Sequence, residues 1–302
     1  MQKNTQGPGD LSTIPSGRSY VYPRHMIDLH THSTASDGEL SPQELAAAAQ
    51  KAELGVLALT DHDTTSGLKE AADSCRNLGI RFINGVETEV EFSPGEFHLL
   101  GLGMPAEKMT PLNTFLETIR ERRVERNREI VSLMNADGRE LTLEEIERLG
   151  GGEVVGRMHF ARWLIDNGAA RNVPDAFEKW LGPKCAYYVP KVRPALSEAI
   201  EAIHASEGKA VLAHPLSLWI SWGRLKQRVP EWKEMGLDGL ESHHSGASPR
   251  QAARFEELAA AHELQITGGS DYHGSSRPDR RLGYGAGNRR LEERFLNIFN
   301  HA

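Results

Sequence analysis

Two histidines two residues apart, His30 and His32, close the short apolar run 26–29. In extended chain, residues i and i+2 point to one side, so both imidazoles can reach a common point. Asp37 follows in a Ser-Asp-Gly turn. Two imidazoles and a carboxylate suit a divalent transition metal such as Zn, Mn or Fe. The arrangement recurs along the chain. His62 follows the apolar run 56–59, Glu87 follows 80–86, His214 follows 209–213, and Asp271 and His273 follow 264–267. His98 lies on the second arm of an expected hairpin. One buried histidine at a strand end commonly satisfies a backbone carbonyl. Nine metal-type ligands at equivalent strand ends would be costly to bury without compensation. Nine exceed the needs of one ion, so two or three are expected. Ions that share a carboxylate lower the pKa of water and clamp the oxygens of a phosphoryl group, which makes phosphate-ester hydrolysis the natural reaction. Glu87 suits the shared carboxylate, having no evident cationic partner in the sequence. Asp61 and Asp63 flank His62. Either can orient a ligand or act as a general acid, and Asp63 also reads as the N-cap of a following helix.

These residues need a scaffold that brings strand ends together. Helices are expected at 42–53, opened by Ser41 and Pro42 and followed by Gly55, and at 64–78, stopped by Gly79. Strands are expected at 56–59 and at 80–86, and hairpin arms at 88–92 and 97–102 about Ser93-Pro94-Gly95. The alternation resumes with a helix at 195–206, strands at 209–213 and 237–240, the latter ending at Glu241, a helix at 248–263 and a strand at 264–267. The strands are continuously apolar, as when both faces are covered. Alternating strands and helices imply a parallel α/β sheet, open or closed, whose active site lies at the C-terminal strand ends.

Between 105 and 190 strands are scarce. A long helix is expected at 111–135, and shorter ones at 143–149, 157–167 and 173–181. The layout is thus a flexible extension at 1–24, an α/β domain at 25–104 and 191–302, and a helical domain at 105–190 inserted into it. Arg157 and His159 begin a helix in the insertion and can present cations to an anion there. Lys184 precedes Tyr187 and Tyr188 in a loop. Each also reads as an ordinary surface charge. The arginines of 120–128 alternate with Glu121, Glu125 and Glu129, which predicts a solvated helix face.

The chain has 302 residues, 39% hydrophobic and 25% charged, ordinary values for a globular protein. A net charge of −7 argues against coating nucleic acid by bulk electrostatics, but leaves a local basic pocket open. Two cysteines without a Cys-x-x-Cys spacing argue against a disulfide scaffold or a thiolate metal site and fit a reducing cytoplasm. No apolar run is long enough to span a membrane, and the N-terminus does not read as a secretory signal. No obligate protein partner is evident.

The assembled motifs resemble the PHP (polymerase and histidinol phosphatase) family. They are Asp28-Leu29-His30-Thr31-His32, Ser36-Asp37-Gly38, Thr60-Asp61-His62-Asp63-Thr64, Gly85-Val86-Glu87, His98, Ala213-His214-Pro215 and Gly269-Ser270-Asp271-Tyr272-His273. Arg157-x-His159-Phe160-Ala161-Arg162 and the 184–190 loop look like one subgroup, the bacterial nucleoside 3′,5′-bisphosphate phosphatases, some also described as 5′-to-3′ exoribonucleases of the RNase AM type. The resemblance implies a distorted (β/α)7 barrel with a helical insertion and a trinuclear site of Mn, Fe or Zn. On that pattern His30, His32, Glu87 and Asp271 hold one ion, Glu87, His98 and His214 a second, and Asp37, His62 and His273 a third. Asp61, Glu87 and His214 would be catalytic, and Arg157, His159 and Lys184 would bind a phosphorylated nucleotide or short 5′-phosphorylated RNA. The chain departs from the subgroup after His214-Pro215. Gly-Arg-Tyr is usual there, and Leu216-Ser217-Leu218-Trp219 stands in its place. The basic contact is then missing or comes from Arg224. A histidinol-phosphate phosphatase is the second reading, disfavoured by the insertion and its Arg-x-His motif. A non-catalytic metal- or nucleic-acid-binding module is the third, disfavoured because none of the nine ligands is missing.

Overall fold

Apolar runs covered on both faces become the strands of one seven-stranded sheet, in the order β1 to β7. In the computed structural model, which describes residues 26–150 and 155–300, these are β1 (Met26–Asp28), β2 (Leu54–Leu59), β3 (Arg81–Val90), β4 (Phe97–Leu102), β5 (Lys209–Leu212), β6 (Gly239–His244) and β7 (Gln265–Gly269). The expected extension at 1–24 lies outside the described residues. β4 runs antiparallel to both β3 and β5, and every other pairing is parallel. Beyond β1 and β7 the sheet closes on itself. Thr31 bridges Tyr272, His32 N donates to Tyr272 O at 2.9 Å, and Asp271 N donates to His30 O at 2.8 Å. The result is the expected α/β barrel.

Helices α1 (Pro42–Lys51), α2 (Leu68–Leu78), α7 (Leu196–Ala205), α8 (Trp222–Glu234) and α9 (Pro249–Ala261) wrap the barrel. Between β4 and α7 lie α3 (Thr110–Ala136), α4 (Leu143–Gly150), α5 (Arg157–Asp166) and α6 (Val173–Ala176), the last running into a π turn at Phe177–Leu181. α1 opens as its sequence requires: Ser41 Oγ accepts from Glu44 N at 3.2 Å and Glu44 reaches back to Ser41 N at 2.9 Å. α2 ends where Gly79 takes a left-handed φ of 72°.

The barrel strands are buried on both sides. Leu57, Leu59, Val86 and Leu99 join the helices in an outer core, while Ile27, Leu29, Val56, Ala58, Leu100 and Val211 pack with Leu291, Phe295 and Ile298 from the C-terminal end. A separate cluster gathers Ile130, Met134, Phe160, Leu164, Leu181 and Tyr187. α3 belongs to both bodies: Leu112, Leu116 and Ile119 lie in the outer core, Ile130 and Met134 in the separate one.

Four elements depart from expectation. α2 starts at Leu68 rather than 64, because Asp63 sits at φ 53° and 64–67 form a turn; its N-cap is Gly67, not Asp63. β3 does not stop at Glu87 but runs on to Val90, held on one edge by His62 and on the other by β4. β6 extends past Glu241 to His244 through a register shift between Glu241 and His243. α8 was not anticipated, because Pro230 inside it reads as a breaker.

Candidate active site

Parallel strands place their C-terminal ends on one rim, and β4, running the other way, brings its N-terminal end there. That is why His98, near the start of β4, joins residues that follow the other strands. Glu87 is 1% exposed and stands at the centre of the rim. Its Oε1 faces His98 Nδ1 at 2.8 Å and His214 Nε2 at 2.9 Å. Its Oε2 faces His30 Nε2 at 3.3 Å, His32 Nε2 at 3.3 Å and His62 Nδ1 at 3.2 Å. Asp271 Oδ1 lies 3.2 Å from His32 Nε2 and 3.6 Å from His30 Nε2. Asp37 Oδ1 lies 3.2 Å from His273 Nε2, 3.7 Å from His32 Nδ1 and 3.9 Å from His62 Nε2. The nine expected residues therefore converge.

The backbone is contorted to achieve this. Asp63, His214 and Asp271 all have positive φ (53°, 24° and 55°), a conformation non-glycine residues adopt mainly where surrounding structure enforces it. Gly269 needs to be glycine: a Cβ there would lie 2.2 Å from His30 Cβ and 2.7 Å from Glu241 Oε1.

The donor chemistry fits divalent metal. His30 Nε2, both ring nitrogens of His32 and His273 Nε2 are buried without a hydrogen-bond partner, although carboxylate oxygens face them. Unpartnered buried nitrogens are uncommon and call for an explanation; cations among them would supply one. Three groups of ligand atoms lie within 4.8 Å of one another: His32, Asp37, His62 and His273; His30, His32, Glu87 and Asp271; and His62, Glu87 and His98. The electrostatics agree. Burial alone would push the His32 imidazole down, but the Asp271 and Glu87 carboxylates outweigh it and lift it to about 9. Burial would raise Glu87, but His62, His30 and His98 hold it well below the usual carboxylate range. Asp37 is likewise lowered against its burial by His273, His62 and His32. His62, in contrast, is depressed to about 4, chiefly by burial. The carboxylates demand positive charge, and the imidazoles are too crowded to provide it all as protons.

The PHP domain family matches residues 28–188. The chain belongs to the PHP family. It is 37% identical over 251 residues to the 5′-3′ exoribonuclease Rnm of Escherichia coli, covering 82% of this chain and 85% of that protein. It is 35% identical over 260 residues to the 3′,5′-nucleoside bisphosphate phosphatase of Chromobacterium violaceum, covering 85% and 90% respectively. A solved structure described as an amidohydrolase from Chromobacterium violaceum, with bound sulfate and no metal, superposes with a TM-score of 0.74 at 31% identity, over 91% of this chain and 96% of that one.

Two cavities open from the PHP rim. The larger, about 780 Å³, is lined by Asp37, His62, Asp63 and His98 on the barrel side and by Arg123, Arg157, His159 and Lys191 opposite in the chain. Arg157 and His159 thus reach the site. His159 Nδ1 lies 3.0 Å from Gly156 N and 3.2 Å from Gly156 O, which ties the ring to the start of α5. Arg157 Nη1 donates to Leu181 O at 3.3 Å and lies over Phe177 and Tyr188. Lys184 does not line this cavity. It is exposed on a turn with φ 71°, and the lysine that lines the cavity is Lys191. Arg224 is exposed on α8 and lines neither cavity, so it does not replace the absent basic contact.

The solvated face expected for 120–128 is present at Glu121, Arg122, Glu125, Arg128 and Glu129, but Arg123 and Arg126 depart from it. α3 leaves one core at Ile119 and enters the other at Ile130, and between them it crosses the cavity. Arg123 pairs with Asp63. Arg126 is half-buried with Nε unpartnered, and burial together with Arg157, Arg123 and Arg193 pulls it down to about 10. Glu89 pairs with Lys191 and Arg193. The cavity lining thus holds Arg123, Arg157 and Lys191 beside Asp37, Asp63, Glu89 and Glu96, and Arg157 is the one of the three cations with no carboxylate paired to it among the described contacts.

Asp61 is buried, and its oxygens accept from Ser33 N (2.8 Å), Ser33 Oγ (2.6 Å) and Ser36 Oγ (2.6 Å). It lines neither cavity. Its geometry is that of a positioning residue for the loop carrying His32 and Asp37.

Glu241 and His244 escaped the sequence reading. Glu241 Oε1 meets His30 Nδ1 at 3.0 Å, and its Oε2 accepts from His214 N at 2.7 Å. His244 Nε2 lies 3.2 Å from Asp271 Oδ2. Strict alternation would pair Glu241 with His243 on the inner face. The bulge in β6 turns His243 out to Glu256 (2.7 Å) and brings His244 in.

Proposed function

We propose that this chain is a metal-dependent phosphoesterase that removes the 3′-phosphate of nucleoside 3′,5′-bisphosphates and shortens 5′-phosphorylated RNA from its 5′ end. The observation that carries the reading is the shared wall. His62 and His98 belong to the histidine–carboxylate cluster and also line the cavity that Arg123, Arg157 and Lys191 reach from the other wall. A substrate with two phosphates finds a place for each: one at the cluster, one among the guanidinium groups. A small monophosphate such as histidinol phosphate would leave the second place empty. The names of the two relatives point the same way.

Bound divalent ions would supply Lewis acidity at the phosphoryl oxygens and bring the pKa of water towards neutrality. Three sites of Mn, Fe or Zn are proposed: His30, His32, Glu87 and Asp271; Glu87, His98 and His214; Asp37, His62 and His273. Glu87 suits the bridging role because its two oxygens face different histidines. Glu241 fixes the ring of His30 through Nδ1, and Ser217 Oγ does the same for His214 Nδ1 at 3.0 Å, each leaving Nε2 towards Glu87. Arg123 and Arg157 hold the 5′-phosphate, with His159 beside them and Arg126 behind them adding positive charge. In this scheme residues 25–104 and 191–302 carry the chemistry, and the helical domain at 105–190 holds the substrate. Cys75 and Cys185 are free thiols, which suits a reducing cytoplasm.

The test is phosphate release from adenosine 3′,5′-bisphosphate by metal-reconstituted protein. Release that stops on chelation and leaves adenosine 5′-monophosphate supports the reading. Release of the 5′-phosphate instead, or none from protein with metal bound, refutes it.

A further inference from the structure

The second cavity on the rim, about 270 Å³, is lined by Glu87, His98 and His214 and also by Leu216, Ser217 and Arg277. It adjoins the larger cavity through His62, Glu96 and His98, but none of the arginines of α3 lines it. Leu216 belongs to a short turn, Pro215–Leu218, capped by Trp219. The turn is firmly tied down. Ser217 Oγ donates to Glu96 O at 2.8 Å, and Glu96 N donates to Ser217 O at 2.8 Å. Gly95 packs so closely beneath it that a Cβ would fall 2.2 Å from Ser217 O. Leu218 is buried, and Ile220 and Trp222 pack against the outer core. Between these anchors Trp219 is left 70% exposed, and Leu216 40%. Trp219 also holds a left-handed φ of 51°. For a bulky residue that conformation is a genuine outlier, and outliers of this kind gather at functional sites. An anchored, strained turn that leaves a tryptophan in water gains nothing for the fold.

We propose that Trp219, with Leu216 beside it, is a stacking platform for the base of the nucleotide on the 3′ side of the scissile phosphate. This rests on the phosphoesterase reading and extends it to substrate length. With the 5′-phosphate among the arginines and the scissile phosphate at the cluster, a strand continues past His214 onto this turn. The cavity there has room for a phosphate-sized group, so the next base lies outside it on the rim. An indole face holds any base, because stacking is indifferent to sequence. Arg277, half-exposed in the same cavity and 3.9 Å from Asp37 Oδ2, adds a guanidinium on the path of the following phosphate. A mononucleotide bisphosphate ends before the turn and does not use it.

The experiment uses full-length, metal-loaded wild type, Trp219→Ala and Trp219→Phe. kcat/KM is measured on adenosine 3′,5′-bisphosphate and on 5′-phosphorylated diadenylate. Affinity is measured by anisotropy for a 5′-phosphorylated tetranucleotide whose first linkage is a non-hydrolysable methylphosphonate. Trp219→Ala is expected to lose about tenfold in diadenylate kcat/KM and in tetranucleotide affinity, a loss typical of one base–aromatic stack. Trp219→Phe should keep most of both, and bisphosphate hydrolysis should be unchanged in either variant. Wild-type values in Trp219→Ala on the longer substrates overturn the platform. So does an equal loss on the bisphosphate, which would mark a structural role. If no protein hydrolyses the bisphosphate while the tetranucleotide affinities still separate as expected, the bisphosphatase reading fails and the platform stands.

Discussion

Arg126→Met should stabilise the substrate-free protein while weakening its grip on substrate. Arg126 is half-buried, its Nε has no partner, and its neighbours Arg157, Arg123 and Arg193 carry the same charge. Burial and those neighbours hold it down to about 10 from 12.5, so the folded state disfavours the charged form. At pH 7 the group is protonated both folded and unfolded, and the full penalty is present. The depression corresponds to about 3 kcal/mol, and solvent screening of a half-buried group reduces it to about 1–2 kcal/mol. Methionine keeps the length of the apolar stem and removes the charge. The apo variant should therefore melt about 2–4 °C higher by calorimetry, given the shallow dependence of Tm on free energy in a chain of this size. Adding adenosine 3′,5′-bisphosphate should reverse the order. A charged hydrogen bond to phosphate is worth about 1.5–3 kcal/mol, so affinity should fall roughly tenfold to a hundredfold, and ligand should raise the wild-type Tm more. An apo variant less stable than wild type, or one binding the bisphosphate equally well, would show that the cluster is not an unfilled anion site.

Glu87→Gln should lose bound metal and phosphatase activity together, as read by elemental analysis and phosphate release; full activity in that variant would remove Glu87 from the centre. Glu241→Gln should fold normally but bind metal about tenfold to a hundredfold more weakly, because the acceptor that orients His30 is weakened; unchanged metal titration would refute this. Glu89, held down to about 2 by Lys191 and Arg193 against its burial, contributes about 3 kcal/mol that is present above pH 4.5 and lost as pH falls through 2. The urea-stability gap between wild type and Glu89→Gln should therefore narrow over that interval, and a constant gap would contradict the pairing.

The barrel was legible because most of its strands contain a short apolar run, and each run announces burial on both faces before any pairing is known. The nine residues of the cluster were legible for a related reason. A polar ligand directly after such a run can only lie at the rim, and even His98 is consistent once β4 is seen to run backwards. What the sequence hid depends on irregular backbone. The bulge in β6 exchanges His243 for His244 on the inner face, and no alternation rule foresees a skipped residue. Lys184 stands exposed on a left-handed turn while Lys191 lines the cavity, a difference that spacing along the chain does not reveal. Pro230 disguised α8, although a proline is tolerated where the helix bends its hydrogen-bonding to suit.

The arginines of α3 show a different kind of hidden information. Along the sequence, alternating Arg and Glu satisfies every local rule for a solvated face. Only the crossing from the barrel core at Ile119 to the second core at Ile130 brings Arg123 to the cavity and half-buries Arg126 beside it, while Arg122 and Arg128 stay outside. The same crossing explains why a chain of net charge −7 can hold anions. The cluster's carboxylates call for cations on one wall, and Arg123 and Arg157 reach the cavity from the other, where the proposed site would hold phosphate. A phosphoryl group bound between them would meet cations on both sides. The overall sum carries no trace of that separation, because it is made by the fold.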